Sequence, residues 1–545
     1  MNILQRNKKN VIIFLLLLFI SILAYRNVFG ILISTDFYPM LYFFEKYGLD
    51  AISNNFYEPG IQHFFVHLVF FFLYHIFGIS NTGWIGFFVL VHCLNAFLLY
   101  KITNELCNIF LVVKKTLLSF FASLIFLLSP YQVEAVLWSF AYPFAVFLML
   151  LGLLLTIYYL KENKIYFLVA VQICFALALL SFESTIILPV ICFLFYFLFK
   201  NTPYRINSFY NYIFIVIFPQ IIIIFLYFSM SKLYTGDWIG HYGAAVHLKF
   251  SPILIATNLI KYFVKFFLFY RFLPLERQSI IHDYLHINIH NTFTVLILII
   301  FCAFIFSIFF WRIIKQRDSL GKLIVFTFFT FIISLIPVIN LDTTFIGAIA
   351  SDRYGYLPSV FFYSFFSFSI YYLLKRFWII ILTGLSALCF TLLSNILCVW
   401  IDASNYSKNL IKNFEPWLSK TNIYMLNMPD NYNWVFTFSG GFKEAIYFKY
   451  HKEIPPLNII SAYCMTSVSD SILIDRIDSN TLFVSSHNAQ RAFLFGGRWL
   501  QSFKAKMYDV DINEASSSFT IRFNKLPDDA TILYVAGDKW RELKL

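Results

Sequence analysis

The segment VIIFLLLLFISILAY, residues 11–25, is an apolar run without a single charge near the start of the chain. It follows the basic stretch MNILQRNKKN, and no small-residue cleavage site comes after it, as a secretory signal peptide would require. Many further apolar runs follow, and a run of about 20 such residues can span the hydrocarbon core of a bilayer. We therefore interpret the segment as an uncleaved first membrane helix.

The composition of the whole chain also indicates a membrane protein. Of 545 residues, 60% are hydrophobic and 13% are charged, whereas about a quarter of the residues in an average soluble domain are charged. The net charge of +12 comes from cations placed between apolar runs, where they set orientation in the membrane. We expect a lipid bilayer as the environment and no nucleic-acid partner.

Eleven apolar runs are long enough to count as crossings. They lie near residues 11–30, 84–103, 116–132, 137–160, 164–182, 184–199, 208–230, 292–312, 323–341, 354–374 and 377–400. With the N-terminus in the cytoplasm, every cytoplasmic link is rich in Lys or Arg, as the positive-inside rule requires. The sequence predicts a mainly α fold: a polytopic membrane helix bundle over residues 1–400, in the inner (plasma) membrane.

Two long external segments, 31–82 and 231–291, are predicted not to cross. The first begins with GILISTDFYPM, residues 30–40, in which Asp36 is the first acidic residue of the chain. Helical spacing after it predicts a helix lying along the membrane interface, with this apolar face: Phe37, Leu41, Phe44 and Tyr47. Asp36 also fits the N-cap of that helix, which is a structural alternative to a catalytic role.

From about residue 401 the composition changes, because Asn, Asp, Ser and Lys become more frequent and the apolar runs become shorter. The segments NWVFTFSGGFKEAIYFKYH, TLFVSS, SFTIRF and ATILYVAG are typical of short strands or of a mixture of strands and a helix. The sequence predicts a small α/β domain over residues 401–545. The number of crossings places this domain on the extracytoplasmic (periplasmic) side.

Acidic residues collect at the predicted external ends of the crossings, where a charged group suggests a function. Asp36 follows the first crossing, Glu134 lies in SPYQVEAVLW, Glu183 in LLSFESTIILP, and Asp352 with Arg353 in ASDRYGYLPS. A carboxylate there can act as a general base towards a hydroxyl, and a cation can hold a phosphate leaving group. This combination suits transfer of a sugar from a lipid phosphate to an external acceptor.

These blocks resemble the TMTC-type branch of the GT-C glycosyltransferase superfamily, whose members span the membrane many times and use polyprenyl-phosphate sugars. The resemblance covers roughly residues 30–375 and is most specific in DRYGYLPS. It implies an inverting transfer with Asp36 as general base and Arg353 at the donor phosphate. It also implies these site-shaping residues: Glu134, Glu183, Asp352, Tyr354 and Tyr57.

The chain departs from the pattern of that family in several places. Thr35 precedes Asp36 where the family often has a second acid, Glu58 stands where Arg is usual, and Ser129 and Phe182 replace a His and a Lys. The tail shows no 34-residue tetratricopeptide pattern. Two cations of the second long segment, Lys265 and Arg271, have two interpretations: headgroup anchors or ligands of the donor phosphate.

The sequence predicts no cofactor and no metal ligand set. A divalent metal remains an alternative, because two groups of histidines could act as ligands: His63, His67 and His75, and His241, His247, His282, His286 and His290. Expected partners are a polyprenyl-phosphate sugar donor and a surface glycan or protein acceptor. Two other classes remain: a polysaccharide polymerase or O-antigen ligase-type enzyme, and a lipid-linked sugar flippase or transporter, which usually shows internal repeats.

Overall fold

The computed structural model describes the following residues, and all statements below concern them: 3–33, 37–53, 63–138, 141–200, 202, 208–236, 238, 252–273, 311, 319–339, 349–438, 440–453, 457–465, 467, 469–486, 493–494, 502–513, 517–524, 527 and 529–543. The protein is mainly helical and carries a small C-terminal strand domain. It divides into two compact units, which are described separately.

The first unit comprises Met1–Arg26, Ile52–Leu73 and Ile85–Ile396. The second comprises Asn27–Ala51, Tyr74–Trp84 and Leu397–Leu545. It therefore contains parts of the segment 31–82, which the sequence predicts to belong to the membrane domain 1–400.

The α-helices have these bounds: Ile3–Tyr25, Phe37–Tyr47, Asp50–Ser53, Phe64–Phe77, Asn81–Ile109, Lys115–Leu128, Val133–Leu137, Ala141–Glu162, Ile165–Leu179, Leu188–Phe199, Phe209–Tyr212, Phe218–Thr235, Pro252–Leu268, Ser319–Ile339, Tyr356–Leu373, Trp378–Lys412 and Phe442–Tyr450. A π-helical segment, Ile213–Ile217, joins two of them into one span. Short 3₁₀ turns include Pro130–Gln132, Glu183–Ile187, Tyr270–Phe272 and Ile349–Gly355.

Six helices of the described part are long and apolar enough to cross a membrane: Lys8–Val28, Asn81–Ile109, Ala141–Glu162, Phe209–Tyr234, Ser319–Ile339 and Trp378–Trp417. A bent pair would make a seventh. The predicted eleven crossings are therefore not confirmed. Ile165–Leu179 and Glu183–Phe199 are shorter than 18 residues, and at about 1.5 Å per residue they fall short of a core about 30 Å thick. The predicted crossing 292–312 lies largely outside the described residues.

The bent pair consists of Lys115–Leu128 and Pro130–Leu137, whose axes differ by 56°. Ser129 between them has an extended backbone, because a proline disfavours the α conformation in the residue before it and cannot donate a backbone hydrogen bond. The Tyr131 backbone N–H donates to Ser129 Oγ at 3.4 Å and so satisfies one donor of the new turn. The bend places Glu134 on a short helical turn after the break.

The second unit contains thirteen described strands in three sheets. Their bounds are β1 Asn422–Met425, β2 Met428–Tyr432, β3 Val435–Phe436, β4 Leu457–Ile459, β5 Ala462–Met465, β6 Ile472–Arg476, β7 Thr481–Ser486, β8 Phe493–Leu494, β9 Phe503–Lys504, β10 Tyr508–Ile512, β11 Ser518–Phe523, β12 Ala530–Ala536 and β13 Lys539–Leu543. The strand orders are β13-β12-β1-β4, β3-β2-β5-β8 and β6-β7-β11-β10-β9. The segments TLFVSS, SFTIRF and ATILYVAG are confirmed as the strands β7, β11 and β12.

The helix Phe37–Tyr47 of the first external segment belongs to the second unit, where it packs against the helix Phe442–Tyr450. Of the residues on its predicted apolar face, Phe37, Leu41 and Phe44 are buried and Tyr47 is exposed. The rings of Phe37 and Phe44 pack against those of Trp84 and Tyr74, with centroids 4.6 Å and 6.2 Å apart. The contacts with the helix Phe442–Tyr450 come from Tyr38 and Tyr42, whose rings lie against those of Phe448 and Tyr447. The Lys46 ammonium lies 2.6 Å from Glu453 Oε1 beside this contact.

Candidate functional site

The site is built around Asp352, which lies in the 3₁₀ turn Ile349–Gly355 of the first unit. Its carboxylate accepts two hydrogen bonds from Arg271, one from Nη1 at 2.6 Å and one from Nη2 at 2.7 Å. Lys265 Nζ lies 2.5 Å from Oδ1 of the same carboxylate. One buried acid thus holds two cations, and the bidentate fork of the arginine fixes the geometry.

Both cations come from the second long segment. Lys265 is in the last turn of the helix Pro252–Leu268, and Arg271 is in the 3₁₀ turn that follows. The ring of Tyr131 lies 5.2 Å from Lys265 Nζ and 5.4 Å from Arg271 Cζ, within the range of cation–π attraction. Burial lowers the pKa of the Lys265 ammonium, an effect that the Asp352 carboxylate opposes. Lys265 is therefore not an exposed headgroup anchor.

Arg353, the next residue in the chain, pairs with Glu134. Its backbone N–H and its Nη1 each donate to a different oxygen of the Glu134 carboxylate at 2.7 Å. Its Nη2 donates to the Tyr354 hydroxyl at 3.0 Å. The guanidinium also lies 4.3 Å from the ring of Trp138 and 4.7 Å from the ring of Tyr354. Two aromatic rings and a carboxylate hold this cation in one orientation.

Charge and exposure together favour an anionic ligand. Three cations face two carboxylates, so the cluster carries one positive charge in excess. The side chains of Asp352 and Glu134 are each 1% exposed, whereas those of Arg271 and Arg353 are 13% and 16% exposed. A ligand that approaches the cluster therefore meets guanidinium groups before it meets carboxylates.

The structure brings together five of the nine residues that the sequence singled out, in this cluster: Glu134, Lys265, Arg271, Asp352 and Arg353, with Tyr354 as a sixth at its edge. Glu183 has a different contact, since it accepts a hydrogen bond from the Tyr227 hydroxyl at 3.4 Å. Asp36 and Tyr57 lie outside the described residues, and their roles stay predictions.

Several contributing residues were missed in the sequence. Tyr131 lies three residues before Glu134 within the block SPYQVEAVLW, so its position beside that acid was a usable signal. Trp138 belongs to the same block, on which the family resemblance rests. The buried polar residues behind the Asp352 turn, His92 and Asn95, had no such signal in the sequence. His92 Nδ1 lies 2.8 Å from the Tyr356 hydroxyl, and Asn95 Nδ2 donates to that hydroxyl at 2.9 Å. These contacts fix the start of the helix that follows the Asp352 turn.

Within the described residues, no group of three or more His, Cys, Asp and Glu side chains is arranged to hold a metal ion. His63 stacks on Phe182 with ring centroids 5.2 Å apart, and His67 lies edge-on to His63 at 5.8 Å. The five later histidines, His241 to His290, lie outside the described residues.

Comparisons with models of known protein families, with curated proteins and with solved structures find no match to this chain.

Proposed function

We propose that this protein is an integral membrane glycosyltransferase that moves a sugar from a polyprenyl-phosphate donor to an extracytoplasmic acceptor, either a surface glycan or a protein. One observation carries the proposal. Glu134 and Arg353, separated by 219 positions in the chain, are in direct contact, and Asp352 holds Lys265 and Arg271 beside them. A cluster of this kind, with an excess of positive charge in a membrane protein, suits a lipid phosphate.

The proposed reaction assigns each charged group one task. Asp36 takes the proton of the acceptor hydroxyl while that oxygen attacks the anomeric carbon of the donor. The bond from the anomeric carbon to the phosphate oxygen breaks, and its electron pair stays on the phosphate. Arg353, with Lys265 and Arg271, stabilises the negative charge that develops there. Attack from the opposite face inverts the configuration of the anomeric carbon.

The orientation belongs to the same proposal. We place the protein in the inner (plasma) membrane with about eleven crossings, a cytoplasmic N-terminus and a periplasmic C-terminal domain. The support is the distribution of Lys and Arg over the alternate links. In this orientation, the donor enters sideways from the outer leaflet and the acceptor approaches from the periplasm.

The proposal is tested with purified full-length protein and a polyprenyl-phosphate monosaccharide labelled in the sugar. We expect release of polyprenyl phosphate and transfer of the label. Asp36→Asn should reduce turnover by at least about 100-fold, since general-base catalysis contributes about 10²–10⁴-fold. Asp50→Asn, an acid of the same external segment, is the matched control and should retain near wild-type turnover.

Three outcomes separate the alternatives. No release under any condition with any sugar would contradict the transferase and favour a flippase or transporter. Release that persists in Asp36→Asn would remove the assigned base but keep the enzyme class. Transfer of whole lipid-linked oligosaccharides, without transfer from a single-sugar donor, would favour a polymerase or ligase.

A further inference from the structure

Several buried hydroxyl groups near the charged cluster have no hydrogen-bond partner within the described part of the chain, and three of them are those of Tyr142, Ser184 and Tyr262. All three residues belong to the first unit and are almost fully buried. A buried hydroxyl without a partner is costly, and native proteins keep few of them. Three such groups from three separate elements suggest a polar ligand that supplies the missing bonds.

Tyr262 is one turn before Lys265 on the helix Pro252–Leu268, so both side chains lie on the same face. Its ring lies against the Asp352 turn, because a Cβ added to Gly355 would be 3.8 Å from Tyr262 Cε1. The Tyr262 hydroxyl lies near Tyr142, Tyr354 and the two carboxylates of the cluster.

Tyr142 approaches the same turn from the start of the helix Ala141–Glu162. Its ring centroid is 4.5 Å from that of Phe182 and 6.3 Å from that of Tyr356. Its hydroxyl lies near Arg353, Tyr354 and Ser184. The Tyr354 hydroxyl accepts a bond from Arg353 and keeps its own proton for a further acceptor.

We infer that the hydroxyls of Tyr142, Ser184 and Tyr262 form a subsite for a neutral, hydroxyl-rich headgroup whose phosphate lies on Arg353. This inference rests on the proposed function, in which that headgroup is the donor sugar. The chemistry fits, since each tyrosine and serine hydroxyl can donate to one sugar oxygen and accept from another. The rings of Trp138 and Tyr354 lie 4.3 Å and 4.7 Å from the Arg353 guanidinium, which would hold the phosphate.

The same chemistry could be supplied by a phospholipid with a polyhydroxyl headgroup, so the experiment has three ligand arms. Full-length protein in nanodiscs is titrated with polyprenyl-phosphate hexose, with polyprenyl phosphate lacking a sugar, and with phosphatidylinositol. Tyr262→Phe and Tyr142→Phe should each weaken binding of the sugar lipid by about five- to tenfold, the loss expected for one hydrogen bond. Binding of the sugarless lipid should not change.

Tyr25→Phe is the matched control. The Tyr25 hydroxyl is also buried without a partner among the described residues, but its ring contact is with His92 and not with the cluster. This variant should bind all three lipids like the wild type. The melting temperature of unliganded Tyr262→Phe should be equal to or above that of the wild type, because the substitution removes an unsatisfied polar group.

Equal effects on the sugar-bearing and sugarless lipids, or no effect on either, would overturn the subsite. A larger loss for phosphatidylinositol than for polyprenyl-phosphate hexose would assign the subsite to a resident phospholipid and overturn the sugar assignment. Selective binding of the sugar lipid without any transfer would keep the subsite and reject the proposed function. Sugar transfer together with unchanged lipid selectivity in Tyr262→Phe and Tyr142→Phe would keep the proposed function and reject the subsite.

Discussion

Glu134 and Arg353 form a largely buried ion pair. In such a pair, each partner matters mainly because it compensates the buried charge of the other. Removing two charges from water costs nearly as much as their attraction returns, whereas removing one partner leaves a buried charge without compensation. The pair therefore adds less to stability than its short distances suggest. The loss of either residue alone should be severe.

Glu134→Gln tests this difference directly. We expect it to lower the free energy of unfolding by about 3–5 kcal/mol, the range for breaking a buried pair. Glu134→Gln combined with Arg353→Gln should be less destabilising than Glu134→Gln alone, since it removes the orphaned charge. The measurement is unfolding of the purified protein in mixed micelles with increasing denaturing detergent.

The control for this prediction is Glu162→Gln, which breaks the exposed pair with Lys164. Exposed pairs contribute little, so this variant should unfold like the wild type. Equal effects at positions 134 and 162 would mean that burial of the Glu134 pair contributes nothing to its importance.

The sequence could indicate which charged residues matter but not which of them pair. Because Arg353 directly follows Asp352, a pair between these neighbours is one arrangement compatible with the sequence. The structure instead pairs Arg353 with Glu134 and gives Asp352 to Lys265 and Arg271. Those partners depend on where the helix Pro252–Leu268 packs, and no local pattern encodes that position.

At the scale of elements, two segments behave differently from simple membrane helices. Pro130 breaks a helix that hydropathy alone reads as one crossing, and the break creates the turn that carries Glu134. Proline made that break predictable. The packing of Phe37–Tyr47 against Phe442–Tyr450 was not predictable, because an amphipathic face looks the same whether lipid or protein covers it.

The contact between those two helices should depend on pH. A hydrogen bond from Lys46 lowers the pKa of the Glu453 carboxylate, and Tyr42 and Lys443 lower it further. A carboxyl whose pKa is lower in the folded state stabilises that state above its unfolded pKa, about 4.3, and loses the effect as the pH falls further.

We therefore expect the melting temperature of the wild type to exceed that of Glu453→Gln by a small margin at pH 7, since the pair is largely exposed, and the difference to shrink as the pH falls below about 4.3. Lys452→Gln, which neutralises the adjacent residue, is the control and should melt like the wild type at both pH values. A difference that grows on acidification would have the wrong sign for this ion pair.

For the whole molecule, composition and charge placement indicated a membrane protein with a terminal strand domain. The described part of the chain has six helices long and apolar enough to cross a membrane, and a small C-terminal strand domain. The number of crossings was less predictable. Hydropathy counts apolar residues, but it does not register whether a run bends or ends early, as the helices Ile165–Leu179 and Glu183–Phe199 do. The length of a helix depends on the turns that begin and end it and on its packing against neighbouring helices.

The orientation is tested by reporter fusions in a bacterial host. An alkaline phosphatase fused at the C-terminus should be active, since that enzyme folds only outside the cytoplasm, and a fluorescent protein fused there should be dark. The same pair inserted in the link at Asn163, which is predicted to be cytoplasmic, should give the opposite result. A fluorescent C-terminal fusion would reverse the predicted orientation of the tail.

A single peptide bond joins Asp352 to Arg353, and each carries an ion pair to a different part of the first unit. A substitution at either position therefore affects both ion pairs. A substitution that preserves one ion pair moves the backbone that positions the other pair. Tolerated substitutions should therefore occur together at both partners of a pair. Among descendants of this gene, positions 134 and 353 should vary together, and so should 271 and 352.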